Sequence, residues 1–396
     1  MPGFVPLVTP LAPVEDVAAE PSAPVAPPTF GEEETCSEQE AGFAAFAAPL
    51  QLCRPSPCHT YLEPVAETLE VLRGVSSPIS VVAGVGPQRL GKSTILNMFH
   101  SRKTSGFGLG HSLDAQTTGI WIWLRRHPEN PEMVVCFADT EGLDTPHVPQ
   151  AYNWMLSSLA LLISNVFLFQ SKNSIDSSAT DRLSTILAVA EQMLGKSNSS
   201  SIGCSAATRP AFIWILRDMQ LQMKQEPKAE MMEKLDDGQL RKLRRNFREF
   251  DCFPLPRPVD SEQQLCEVEF MEFATLRANF VEDFFMLNKM VFKMAGQSPC
   301  LGNQPVTGAE LSDMVVKYMK TIRERQGMLS AITDMPTQAQ MIAQMAAERA
   351  LKAAKDTYAC EMQKIESHEL PLAIDTLHQR HLITLAEAEK TLDHPG

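Results

Sequence analysis

The chain has 396 residues, enough for two domains, with 44% hydrophobic residues and a formal net charge of −13. Eight of those negative charges fall in residues 1–48, which hold no Lys or Arg, so the rest is only mildly acidic and has no basic excess suited to nucleic acid. Nine scattered cysteines fit reduced thiols better than a disulfide framework, and no leader, lipidation box or membrane-length apolar run is seen, so a cytoplasmic protein is expected.

Residues 1–48 carry eight prolines among Ala and Glu and read as a disordered extension, because they lack the apolar periodicity that buries a core. From Pro49 strand and helix signals alternate. "PISVVAGV" (78–85) predicts a strand and "KSTILNMFH" (92–100) a helix. "GIWIWLRR" (119–126) and "MVVCFAD" (133–139) predict two more strands. "MLSSLALLISNVFLF", Met155 to Phe169, reads as a buried helix running into a buried strand, since Ser and Asn interrupt it and it is short for a membrane span. Ala179 to Met193 is helical, and "AFIWILRD" (211–218) is a strand. Short β-rich runs separated by helices predict an α/β domain over 49–308, with a mostly parallel sheet covered on both faces.

After Gly308 the strand signals stop, and 309–396 reads as the start of a helical domain. Thr337 to Ile365 predicts a long helix in which Leu351, Tyr358, Met362 and Ile365 share a face expected to be core. A further helix, about Leu370 to Leu392, follows the break at "SHELP".

The stretch Gly86-Pro87-Gln88-Arg89-Leu90-Gly91-Lys92-Ser93, followed by Thr94, fits the P-loop pattern G-x-x-x-x-G-K-[ST] between a strand and a helix. Glycines let the backbone turn its N–H groups toward a phosphate, and the helix adds its positive end. Lys92 supplies a cation for the β- and γ-phosphates, and the Ser93 hydroxyl suits Mg²⁺, a hard cation that prefers oxygen. Asp139 ends an apolar strand and is placed to hold Mg²⁺ through water. Thr140, Glu141, Gly142 and Leu143 continue it as a turn in which the Gly142 N–H could meet the γ-phosphate, and Glu141 joins the catalytic candidates. Thr117, in "SLDAQTTGIW", is the candidate to close over Mg²⁺ and γ-phosphate. No N/T-K-x-D motif is found at a suitable strand end. Instead Arg217-Asp218 ends a strand, where a carboxylate can accept from guanine N1–H and the N2 amine, while Arg217 can lie over the base or pair with a carboxylate.

The segments "VVAGVGPQRLGKSTILN", "GFGLGHSLDAQTTGIWIW", "DTEGL", "FIWILRD" and "DCFPLPRPV" resemble the guanylate-binding protein family, large GTPases of the dynamin superfamily that includes the atlastins. The resemblance covers 49–308 as the GTPase domain and implies that 309–396 is the opening of the family's helical middle domain, cut short. It implies Mg²⁺-dependent hydrolysis of GTP to GDP, with onward hydrolysis to GMP left open, and homodimerisation through the nucleotide faces. It implies that Arg89 acts as an arginine finger in cis, that Ser93 and Thr117 hold Mg²⁺, and that Arg217 and Asp218 read guanine. Leu109, Gly110 and His111 fall where the family's loop approaches the nucleotide. One departure stands out: the Ser common two residues before the sensor Thr is Ala115 here, followed by Gln116. Turnover is therefore expected to be slower or to use Gln116. Two other functions stay open: a nucleotide-switched scaffold with little turnover, and an atlastin-like membrane remodeller, against which the missing transmembrane pair argues.

Overall fold

The computed structural model describes residues 46–108, 117–143, 148–194, 209–219, 223, 225–297, 300–301, 304–324, 338–368 and 374–393. All of them lie in the unit Ala41–Gly396. The elements in chain order are β1 (Leu50–Pro55), β2 (Leu62–Pro64), α1 (Ala66–Arg73), β3 (Ile79–Val85), α2 (Lys92–Ser101), β4 (Ile120–Arg126), β5 (Val134–Thr140), α3 (Gln150–Ile163) and β6 (Val166–Lys172). They continue with α4 (Ser177–Leu194), β7 (Ala211–Arg217), α5 (Pro227–Lys234), α6 (Asp237–Asn246), β8 (Phe250–Leu255), α7 (Glu262–Cys266) and α8 (Ala278–Ala295). A small pair, β9 (Cys300–Leu301) and β10 (Gln304–Pro305), precedes α9 (Gly308–Glu324), α10 (Gln338–His368) and α11 (Ile374–Asp393).

Eight strands form one sheet in the order β2-β1-β4-β5-β3-β6-β7-β8. β5, β3, β6, β7 and β8 run parallel, while β4 pairs antiparallel with β5 and β1 antiparallel with β4. β3, β5 and β7 are buried along their whole length, as their unbroken apolar runs require once helices cover both faces. α2 and α8 meet through the stacked rings of Phe99 and Phe284. α9 packs against α1 and α3.

This is the α/β P-loop architecture expected, with three sheet strands, β1, β2 and β8, that the sequence pattern did not announce. β1 and β8 both contain proline within or at the end of the run. Pro254 is tolerated because β8 is the edge of the sheet, where one row of backbone groups needs no partner.

Phe46 lies within the stretch expected to be an extension, yet it is buried and its carbonyl accepts a 2.9 Å bond from Trp123 Nε1. Deleting residues 1–44 is expected to leave the melting temperature unchanged. Deleting 1–48 removes the Phe46 ring as well and is expected to cost about 1.5–3 kcal/mol. Thermal unfolding of the two truncations checks this; equal melting temperatures would show that Phe46 contributes nothing.

α10 docks on α9. Met314, Tyr318 and Met345 are buried there, and Arg349 bridges to Glu310 and Asp313, with Lys317 to Glu348 at 2.7 Å. Exposed ion pairs of this kind contribute at most about 1 kcal/mol each, so the apolar contacts carry the docking. The expected core stripe of α10 is corrected here. Leu351 is 48% exposed, whereas Met345, Ala350 and Ala354 are buried. Tyr358 is half-buried and bonds His381 of α11 at 2.7 Å. No described helix is long and apolar enough to cross a membrane.

Candidate functional site

The site gathers at the C-terminal ends of the parallel strands, where such sheets place ligands. β3 feeds the P-loop, and α2 begins at Lys92. Its N-cap Gly91 has φ 72°, the left-handed region that glycine enters at no steric cost, and no side chain caps the helix. The first-turn N–H groups therefore have no side-chain acceptor, which suits an anion. Thr94 is buried in that first turn.

Lys92 is buried, and Nζ donates to Pro87 O at 3.0 Å. Burial pushes its pKa down, while the carboxylates of Asp139 and Glu141 push it back up. Asp139 is fully buried, and Oδ2 accepts from Ser93 Oγ at 2.6 Å and Thr117 Oγ1 at 3.2 Å. Burial raises its pKa to about 6 against the pull of Lys92 and the two hydroxyls. Its Oδ1 has no hydrogen-bond partner among the described residues. A buried carboxylate oxygen without a partner is costly, and two hydroxyls and a carboxylate form a hard-oxygen donor set. Ser93, Thr117 and Asp139 therefore fit a Mg²⁺ ion.

Antiparallel pairing explains how Thr117 reaches Asp139. β4 follows Thr117 closely, and its register sets Ile120 opposite Thr140 and Trp121 opposite Asp139. The turn after Asp139 is stitched to the P-loop: Pro87 bridges Leu143, Leu143 N donates to Gly86 O at 3.0 Å, and Gln88 N donates to Leu143 O at 3.2 Å. Gly142 passes so close that a Cβ there would lie 2.5 Å from Gln88 Cα. Thr140 Oγ1 ties β5 to β3 through Gly84 O at 2.7 Å.

Two expected site residues face inward. Glu141 is buried, with Oε2 accepting from Gly119 N at 3.0 Å and Tyr152 Oη at 2.8 Å. Arg217 is buried beneath the loop, where Nε donates to Leu90 O at 3.1 Å and Nη2 lies against Gly91. It supports the P-loop backbone in this position. Burial lowers its pKa to about 10, so it stays charged at neutral pH. Asp218, at φ 57°, lies 3.6 Å from Arg257 Nε. Arg89 is exposed at φ 62° within the loop. A non-glycine residue at positive φ is uncommon, and such strained positions cluster at functional sites. Leu109, Gly110, His111, Ala115 and Gln116 lie outside the described residues.

Sequence reading did not find the residues that grip the sensor segment. Gln51 Nε2 and Trp121 Nε1 both donate to Thr118 O, at 2.9 and 3.1 Å, and Tyr152 holds Glu141. None belongs to a spaced motif, so no local signal marked them.

A family model described as "Guanylate-binding protein, N-terminal domain" matches residues 60–298. Guanylate-binding protein 1 of Mus musculus is 30% identical over 280 residues, covering 65% of this chain and 47% of that protein. Guanylate-binding protein 2 of Homo sapiens is 30% identical over 281 residues, covering 65% and 47%. Guanylate-binding protein 4 of Homo sapiens is 28% identical over 338 residues, covering 79% and 51%. The chain spans about half the length of these relatives. A model match that takes in more than half of the chain, on the phosphate loop and acidic strand end just described, places the chain in the guanylate-binding protein family.

Proposed function

We propose that the chain binds GTP with Mg²⁺ and hydrolyses it to GDP. The observation that carries this reading is the buried Asp139 carboxylate, which takes the Ser93 and Thr117 hydroxyls on one oxygen and leaves the other unpartnered beside Lys92. Membership in a family of large GTPases supports it. Ser93 and Thr117 would hold Mg²⁺ directly and Asp139 through water. When bound, the ion supplies positive charge to the phosphate oxygens. Lys92 and the first-turn N–H groups of α2 neutralise the β- and γ-phosphates, and the Gly142 N–H is the candidate donor to the γ-phosphate. Arg89, in the same loop, adds a guanidinium across the α–γ span.

Dimerisation through the nucleotide faces, onward hydrolysis to GMP and a cytoplasmic location belong to the same proposal. A scaffold with little turnover is the second reading, favoured by Ala115 in place of the family's serine. Single-turnover hydrolysis of GTP decides between them: cleavage within one binding event supports the enzyme, and bound GTP recovered intact supports the scaffold.

Base choice is proposed to rest on Asp218. Its carboxylate can accept from guanine N1–H and the N2 amine, neither of which adenine offers. Asp218→Asn should lower GTP affinity about ten- to hundredfold and improve xanthosine triphosphate binding, since a bond to a charged group contributes about 1.5–3 kcal/mol. Competition titrations check this, and ATP competing as well as GTP with the parent protein would remove the assignment.

A further inference from the structure

Glu141 follows the metal-facing aspartate by two residues. Residue 141 clasps Gly119 at both backbone groups: Glu141 N donates to Gly119 O at 2.8 Å, and Gly119 N donates to Glu141 Oε2 at 3.0 Å. The same Oε2 takes the Tyr152 hydroxyl at 2.8 Å. Tyr152 is fully buried, close to the start of α3, and the His59 ring meets it edge-on at 5.0 Å. With Thr118 O held by Gln51 and Trp121, the backbone groups from Thr118 O to Gly119 O are all fixed. The Thr117 hydroxyl, just upstream, bonds Asp139.

We infer that Tyr152 and Glu141 form a positioning couple, which sets the register of residues 117–119 so that the Thr117 hydroxyl meets the Mg²⁺ side of Asp139. The inference rests on the nucleotide reading above. Tyr152 orients the carboxylate, the carboxylate holds Gly119, and Gly119 places Thr117.

The test compares binding of a fluorescent non-hydrolysable GTP analogue (mant-labelled guanylyl imidodiphosphate) with Mg²⁺ and with EDTA, in the parent protein and in Tyr152→Phe, Glu141→Ala and Glu141→Gln. Tyr152→Phe removes only the hydroxyl. The couple predicts that Tyr152→Phe keeps the EDTA affinity within about twofold and loses roughly tenfold of the Mg²⁺ enhancement, and that Glu141→Ala loses at least as much of the enhancement. Glu141→Gln retains an oxygen acceptor for Gly119 N, so it should keep more of the enhancement than Glu141→Ala does. A Tyr152→Phe protein with the parent's enhancement overturns the inference. Equal weakening with Mg²⁺ and with EDTA, alongside a lower melting temperature, also overturns it, because the bond is then only structural. A Glu141→Gln protein that loses as much of the enhancement as Glu141→Ala overturns it too, because the acceptor for Gly119 N is then not what matters. If the parent shows no Mg²⁺-dependent analogue binding, the nucleotide reading itself falls, a result distinct from failure of the couple alone.

Discussion

Lys92→Ala is expected to weaken GTP binding by about 10²–10³-fold and to abolish turnover. Lys92 is a buried cation between two buried carboxylates, Asp139 and Glu141, and its Nζ already lies over the loop at Pro87 O. Removing one member of a buried charge set costs about 3–5 kcal/mol, because the partners stay uncompensated. In the proposed site the same cation serves the β- and γ-phosphates, so the loss falls on them as well. Calorimetric titration with GTP measures the effect, and unchanged affinity would remove the P-loop assignment.

The variant also has a pH signature. Burial already holds the Asp139 pKa at about 6, above its ordinary value of 3.8, so the folded protein binds a proton there more tightly than the unfolded chain does. Stability from that proton is fully present below about 3.8 and is lost as pH rises through about 6. Without Lys92 the carboxyl rises further. The stability penalty of Lys92→Ala should therefore be smaller at pH 5 than at pH 8 in denaturant titrations. An equal penalty at both would show that Lys92 does not interact with Asp139.

Arg89→Ala is expected to bind GTP nearly as the parent does and to hydrolyse it about 10³–10⁵-fold more slowly, the contribution typical of arginine fingers. Phosphoryl transfer spreads charge over the γ-phosphate and the bridging oxygen, which Lys92 neutralises only in part. A guanidinium reaches two phosphate oxygens at once and stays charged throughout. Arg89 holds a left-handed backbone in mid-loop with its side chain exposed, so a small change of loop torsion redirects a long cation. If pairing through the nucleotide faces positions it, specific activity should rise with protein concentration in the parent and stay flat in the variant. Arg89→Lys should recover little, since an ammonium cannot fork across two oxygens. Full activity in Arg89→Ala would leave Arg89 a bystander.

What could be read from the sequence follows from how each feature is built. A phosphate cradle is made of consecutive residues, so Gly86 to Ser93 carried its own signature. Asp139 was legible because a carboxylate at the end of an unbroken apolar run can only emerge at the end of a buried strand. The orientations of Glu141 and Arg217 were not legible. Gly119 N and Tyr152 decide the first, and Leu90 O and Gly91 the second, through contacts between elements remote in the chain. Gln51 was invisible for the same reason, lying 67 residues from Thr118. The α10 stripe misled because hydrophobicity alone favours Leu351 for the interior, whereas docking on α9 is decided between elements and buries Met345, Ala350 and Ala354.

The seam between the P-loop and the turn after Asp139 limits how this chain can vary. Two backbone bonds and the bridge at Pro87 and Leu143 hold residues 86–88 and 142–143 against each other, with no room for a Cβ at Gly142. Substitutions on the two sides of such a contact do not add independently. A change at Gln88 that shifts its Cα sets what position 142 can hold, and any residue larger than glycine at 142 must move the phosphate loop. The two loops therefore accept mutation as one unit, so a library that randomises either alone should return few folded variants, and paired changes across the seam should recover some that neither side tolerates singly.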